Sequence, residues 1–390
     1  MENIKDHKFI VFCGDHYNPL GIVRSLGEEG IRPIVILVSK HPVMINHSRY
    51  VSKLHLVQGQ EEGYDILLSQ YGNESQKPFL YTSDDGVTSF LDLHYDELIN
   101  KFYFFHGKEK GIVTKYMDKE HICNLAAECG APLAKTEMVN KGEFPKNVGY
   151  PLVTKAIIST RGGWKADFHI CKTEQDLVEA YRTMKSDRLL LQQFIEKKNE
   201  LCLDGFCYNN GEEVVIPYYS NYLRFNNMSY GPYMVMKPFV DEKVMGWVKA
   251  MLKEVGFTGI FSVEFLIDKN DNLYFLEVNF RNSTWSYAYT CGGYNMPVLW
   301  AKATLDGKLD LTDRTPMKEF TAMVETDDFL ENVVHKKKVG FFKWFKEMKG
   351  CRCLYYYNKK DKSPFNHYVK DYIKSPLTRR IQYLKGFFKR

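Results

Sequence analysis

Two segments, GIFSVEFLID (259–268) and LYFLEVNFR (273–281), separated by KNDN (269–272), concentrate the residue types that handle charged oxygen ligands. Both arms alternate apolar and polar residues. With a four-residue loop, a common hairpin length, Asp268 faces Leu273 and the register follows by counting. Phe265 then faces Leu276, Val263 faces Val278 and Phe261 faces Phe280; with Ile267 and Tyr274 they make one apolar face. On the other face Glu264 lands opposite Glu277, and Asn279 and Arg281 follow at two-residue steps. Directly opposed side chains have Cβ atoms about 4.5–5.5 Å apart, where like charges are destabilising. A hard divalent cation removes the conflict, because Mg²⁺ takes carboxylate and amide oxygens and fills its octahedron with substrate phosphates. The pattern predicts one or two Mg²⁺, with Mn²⁺ the alternative ion, held between Glu264, Glu277, Asn279 and ATP. A solvated sheet face accounts for one glutamate, and less well for the pair plus Asn279 and Arg281.

The elements that must carry this hairpin read as an α/β chain. HKFIVFCG (7–14) and IRPIVILVS (31–39) are apolar runs of strand length around a helix at 20–30 that stops at Gly30. FLYTS (79–83) joins the set, and DDG (84–86) starts a helix. Strand, helix and buried strand in succession indicate a parallel sheet. The loop after the first strand is not GxGxxG, so dinucleotide binding is not supported. Asp118 has the character of a helix N-cap ahead of Ile122, Leu125 and Ala126, with a stop at Gly130 and a linker at 131–136. A second unit follows: strand 150–156, a polar glycine loop ISTRGGWK (158–165), helix 173–184 and strand 189–195. Strands at 201–208 and 212–220 and a helix at 241–256 lead to the hairpin, with FNNMSYGPY (225–233) between them as an aromatic loop.

On Glu264 followed by Glu277-x-Asn279-x-Arg281, the sequence resembles the ATP-grasp superfamily over most of residues 1–310. The opening CGDHYNPLGIVRSL (13–26) is most similar to its carboxylate–amine ligase branch, which includes D-aspartate ligases of peptidoglycan synthesis. The resemblance implies an ATP-grasp fold (α/β, with α+β lobes) behind an N-terminal Rossmann-like pre-ATP-grasp domain. Its parts would be residues 1–117, a central helix and small lobe at 118–200, a large lobe with the metal site at 201–334, and a basic extension at 335–390. It further implies that Lys119 and Lys155 contact ATP phosphates and that the loop with Gly162 and Gly163 closes over them. That loop carries Arg161, Trp164 and Lys165, bulkier than the family's usual small residues. The strand end Gln193, Phe194, Ile195 would meet adenine through backbone groups, and Glu200, seven residues beyond Gln193, would bind the ribose hydroxyls. Gln193 departs from the glutamate frequent in relatives; its amide still carries an acceptor.

The activity so implied is amide formation through an acyl phosphate, with Arg281 as the catalytic donor fork that holds the transferring phosphoryl group. The substrates are a small carboxylate such as an amino acid and an amine acceptor, on a cell-envelope precursor in one reading. Asp84 and Asp85 lie past a strand end, the crevice position in α/β sheets, and Asp15 and His16 are placed similarly. Arg224 and Lys237 flank the aromatic loop and could receive a substrate carboxylate. The alternatives are a carboxylase or carbamoyl-phosphate enzyme of the same superfamily, or a non-catalytic nucleotide-binding scaffold at a membrane.

The 390 residues suit two or three packed units. Hydrophobic residues at 44% and charged residues at 26% are ordinary for a globular protein, and no run approaches the length that crosses a bilayer. The mixed-charge N-terminus reads as a first strand and not a leader, and nine cysteines without metal spacing read as free thiols. A cytoplasmic enzyme is the expectation, peripheral at the inner face of the membrane in one reading; an oligomer stays open. The net charge of +5 hides an asymmetry: residues 335–390 hold 17 Lys and Arg against 3 acids, so the body carries −9. Three readings of this aromatic tail stand in order: an extension packed on the body, an anionic membrane surface, then nucleic acid.

Overall fold

A computed structural model describes residues 3–156, 167–226 and 229–372. Its first sheet is parallel, in the order β3-β2-β1-β4, from β1 (Phe9–Gly14), β2 (Ile34–Val38), β3 (Lys53–Val57) and β4 (Phe79–Thr82). Period-two alternation divides β1 between two cores. Phe9, Val11 and Cys13 join the cluster that holds Leu20, Val23 and Leu26 of helix Tyr17–Glu28. Ile10 and Phe12 pack with Leu67 of helix Gln60–Tyr71 and Leu91 of helix Asp85–Leu93. β3 escapes the sequence reading because it is an edge strand, with Leu54 and Leu56 exposed.

The second sheet is antiparallel, in the order β5-β8-β6-β7: β5 (Thr136–Asn140), β6 (Leu152–Ala156), β7 (His169–Cys171) and β8 (Arg188–Gln193). Helix Glu174–Thr183 covers it with Leu177 and Ala180, and starts on a capping box between Thr173 and Asp176. The glycine loop with Gly162 and Gly163 lies outside the described residues.

The third sheet has eight strands: β9 (Lys197–Tyr208), β10 (Glu213–Val215), β11 (Tyr218–Asn226), β12 (Ser229–Pro238), β13 (Gly259–Asp268), β14 (Leu273–Asn279), β15 (Phe320–Met323) and β16 (Cys353–Leu354). The path runs β14-β13-β9-β11-β12-β15-β16, with β10 beside β9. Helix Glu242–Val255 buries Val248 and Met251 on its core and ends at Gly256, whose φ of +63° suits a residue without Cβ. Of the segment read as an aromatic loop at 225–233, the described residues 225–226 and 229–233 lie instead on β11 and β12.

Of the described residues after 334, several are built into the body. β16 pairs in parallel with β15. Arg24, fully buried, donates to the carbonyls of Tyr355 and Tyr356 at 2.8 Å and to the Asp361 carboxylate at 3.2 Å. Asp361 also accepts from Ser48 Oγ and the Arg49 amide, so the first sheet's domain and the far end of the chain are knitted together. Among the described residues no helix is long and apolar enough to cross a membrane.

Candidate active site

Between the second and third sheets lies a cleft of about 240 Å³. Lys155 of β6 and Gln192 and Gln193 of β8 form one wall; Glu200 of β9, Glu264 of β13 and Glu277 of β14 form the other. Lys119 enters at the start of helix Lys119–Glu128, which Asp118 caps through the amides of Glu120 and His121.

The acidic wall follows from register. Glu264 pairs with Glu277 on one side and with Cys202 on the other, so the three side chains share a row across the sheet. The turn differs from expectation. Ile267, not Asp268, opposes Leu273, and Phe265 opposes Phe275, not Leu276. Asp268 closes a longer turn by accepting from the amides of Asn270 and Asn272 at 2.8 and 2.9 Å. A β-bulge between Glu264 and Phe265 then absorbs the extra residue and restores the Glu264–Glu277 pair. The bulge also turns Leu276 toward the cleft and leaves Phe275 in the core.

Burial, reinforced by Glu277, Glu200 and Asp204, holds the Glu264 carboxyl well above its ordinary range. Oxygens of Glu200 and Glu264 and the sulfur of Cys202 lie within 4.8 Å of one another. Crowded carboxylates of this kind suit a hard cation with oxygen ligands. Burial pushes the Cys202 thiol up, so it stays protonated and is a poor ligand for a soft metal. The Glu277 carboxylate accepts from Asn279 Nδ2 at 3.3 Å, and Asn279 Oδ1 accepts from Arg281 at 3.0 Å. Arg281 also forms a two-pronged pair with Asp85, at 2.5 and 3.2 Å.

Opposite the acids, Lys155 donates to Gln192 Oε1 at 2.7 Å. Burial, with the Lys119 charge adding to it, pulls the Lys155 ammonium down to about 8. Two cations thus face a bank of carboxylates across a narrow slot, an arrangement suited to a polyanion bound with a divalent metal.

Residues 125–289, which carry both walls, match the family model of the ATP-grasp domain. The chain carries an ATP-grasp domain. It is 22% identical to a D-aspartate ligase of Enterococcus faecium over 76% of each chain. It is 27% identical to the propionyl-CoA carboxylase alpha chain of Ruegeria pomeroyi over 45% of its own length, but spans only 28% of that relative. In fold it is similar to the N5-carboxyaminoimidazole synthetase of Staphylococcus aureus, with a TM-score of 0.65, 16% identity and coverage of 84% and 86%. It is also similar to the L-amino acid ligase of Bacillus licheniformis, with a TM-score of 0.61, 14% identity and coverage of 81% and 79%. These ATP-grasp relatives are enzymes, carbon–nitrogen ligases or carboxylases.

The ATP-grasp cleft gathers Lys119, Lys155, Gln193, Phe194, Ile195, Glu200, Glu264 and Glu277 along its walls. The amides of Gln193 and Phe194 already donate to the carbonyls of Lys135 and Pro151, at 2.8 and 3.0 Å, so neither is available to a base without rearrangement. Glu200 accepts from Lys197 at 2.6 Å. The remaining candidates are held elsewhere. Asp84 caps helix Asp85–Leu93 by accepting from the Val87 amide at 3.0 Å. Arg224 is clamped by Asp328 and Glu347, both at 2.7 Å, and Lys237 lies 3.4 Å from Glu319; neither lines the cleft. Asp15 accepts from the amides of Val43, Met44 and Ile45, and His16 caps helix Tyr17–Glu28.

Three neighbours escaped the sequence reading. Gln192, not Gln193, reaches Lys155. Cys202 and Asp204 extend the Glu200 face of β9 at two-residue steps, a signal available from alternation alone. Burial pushes the Asp204 carboxyl up to about 7, against the opposing pull of Ser283, Ser262 and Arg281. Asn282, next to Arg281, exchanges amide contacts with Asn18 at 2.6 and 3.0 Å, which brings the C-terminal ends of β1 and β4 against the acidic hairpin.

Proposed function

We propose that this ATP-grasp enzyme is a Mg²⁺-dependent carboxylate–amine ligase that consumes ATP and releases ADP, phosphate and an amide. The observation that carries the reading is the facing pair Glu264 and Glu277, continued through Asn279 to Arg281, across the slot from Lys119 and Lys155. The donor set fits the metal: half-buried carboxylates, that of Glu264 held well above its ordinary range, beside an amide and without an ionised thiol. Glu264, Glu277 and Asn279 would hold Mg²⁺, whose charge offsets that of the phosphates when bound.

A carboxylate is inert to amines near neutral pH. Attack of its oxygen on the γ-phosphorus breaks the bond to the β-phosphate oxygen, so ADP leaves and an acyl phosphate forms. Lys119 and Lys155 neutralise the phosphates, and Arg281 offers planar donors to the group in transit. Asp85 holds that guanidinium in place from the first domain. The amine nitrogen then attacks the acyl carbon, phosphate departs, and the nitrogen loses a proton to solvent. Excluding water from the slot protects the acyl phosphate from hydrolysis.

An amino acid as the carboxylate is supported by the relatives that are named ligases of D-aspartate and of L-amino acids. A second reading takes bicarbonate as the carboxylate, and the fold likeness to a 2-oxoglutarate carboxylase domain solved with MgADP and bicarbonate favours it. Phosphate release from ATP across D- and L-amino acids, each with a panel of amines, separates the two. Amino-acid-dependent release, with hydroxamate formed when hydroxylamine is the amine, is the expected result. Release that requires only bicarbonate would replace this reading with the second.

A further inference from the structure

We propose that helix Phe341–Gly350 and the residues just before it form a docking surface for an anionic lipid bilayer. Trp344 is the one buried residue of this helix. On the opposite side Phe342 is 87% exposed, beside Phe341 at 50% and Phe345 at 37%. The three rings touch as a ridge, with centroids 5.7 Å apart for Phe341 and Phe342 and 6.0 Å for Phe341 and Phe345. Val334, in the preceding segment, is exposed too.

Cations flank the ridge. At 3.6 residues per turn, Lys346 and Lys349 share the outer face with Phe342 and Phe345, and Lys343 borders it; all three are exposed. Lys349 sits over the Phe345 ring at 4.6 Å. Lys337, in the segment just before the helix, is exposed as well. The helix's one carboxylate, Glu347, is turned inward and neutralised by Arg224, which also grips buried Asp328. That clamp fixes the helix to the third sheet and presents the ridge as a rigid unit.

Beneath the ridge is a cavity of about 270 Å³ with chiefly apolar walls from Phe329, Leu330, Trp344, Met348, Phe365 and Tyr368. Phe329 and Trp344 join it to Phe341, at 6.3 and 6.2 Å between centroids. Aromatics with lysines at their edges suit the headgroup boundary, and each lysine near an anionic leaflet strengthens binding about fivefold. Nucleic acid fits less well, since the cavity offers little for base edges or phosphates.

The test is co-sedimentation of the full chain with phosphatidylcholine vesicles, with and without about a third phosphatidylserine. Binding to the anionic vesicles alone, weakened by salt, is expected. Phe342→Ser with Phe345→Ser should reduce it about tenfold, and charge reversal of Lys343, Lys346 and Lys349 should abolish it, with ATP hydrolysis in solution unchanged. The proposal is overturned by a full chain that stays in the supernatant, by equal binding to neutral vesicles, or by unaltered binding of both variants. Self-association through the ridge, or retention of single-stranded RNA in place of lipid, would overturn it too. Sedimentation is read without turnover, so its failure leaves the ligase reading standing.

Discussion

Burial pulls the Lys155 ammonium down to about 8, so in the free protein its charge fades as pH rises through that value. A bound triphosphate favours the charged form and raises the pKa. Nucleotide binding should therefore take up protons above about pH 8, and affinity should fall as pH rises there. Calorimetry in buffers of differing ionisation enthalpy measures the uptake, and Lys155→Met should remove it. Glu277→Gln deletes a charge with little change in volume; we expect ADP formation to drop at least 1,000-fold with the circular dichroism spectrum kept. Unchanged turnover would remove the metal assignment. Arg281→Ala should lower kcat by about 100-fold or more while nucleotide affinity is mostly kept; loss of affinity alone would assign Arg281 to the nucleotide site. At this scale the sequence is legible where alternation states which residues share a face, as for Glu264, Glu277 and Asn279. It is less legible where a side chain's role depends on a distant partner, as for Arg224, whose clamp residues lie about a hundred positions away.

The acidic hairpin illustrates how elements correct themselves. A four-residue loop with strict alternation yields the Glu264–Glu277 pair, yet the turn is longer and the arm is bulged. The two departures cancel at the glutamates, because the bulge inserts one residue where the turn had shifted the register by one. Their combined effect shows at Leu276, which joins the cleft wall. Leu276→Ala should weaken nucleotide binding about tenfold, from lost apolar contact, without moving the glutamates; equilibrium dialysis with a labelled nucleotide checks it. Interior strands with continuous apolar runs, such as β1 and β2, are readable from sequence. Edge strands such as β3 and β16 are not, since half their residues face water or their pairing partner is far along the chain.

For the whole molecule, the basic tail is where sequence and structure diverge most usefully. Charge and aromatic content alone leave open whether residues after 334 pack or protrude. The described part does both: β16, Tyr355 and Asp361 are built into the body, while the ridge of helix Phe341–Gly350 faces outward. Arg24→Met should destabilise the protein by about 3–5 kcal/mol, because it strands the buried Asp361 carboxylate. Thermal unfolding measures the loss, and nucleotide binding by the folded fraction should be unchanged. An ion pair whose partners are fully enclosed is less sensitive to salt than one at the surface.

The pairing of Arg24 with Asp361 spans 337 positions. On a ribosome moving at about 5–20 residues per second, the arginine emerges on the order of tens of seconds before its counter-ion exists. Until then helix Tyr17–Glu28 carries a charged group that cannot be sealed away, so the nascent N-terminal half must wait, open on that side, for the final stretch to arrive and lock it.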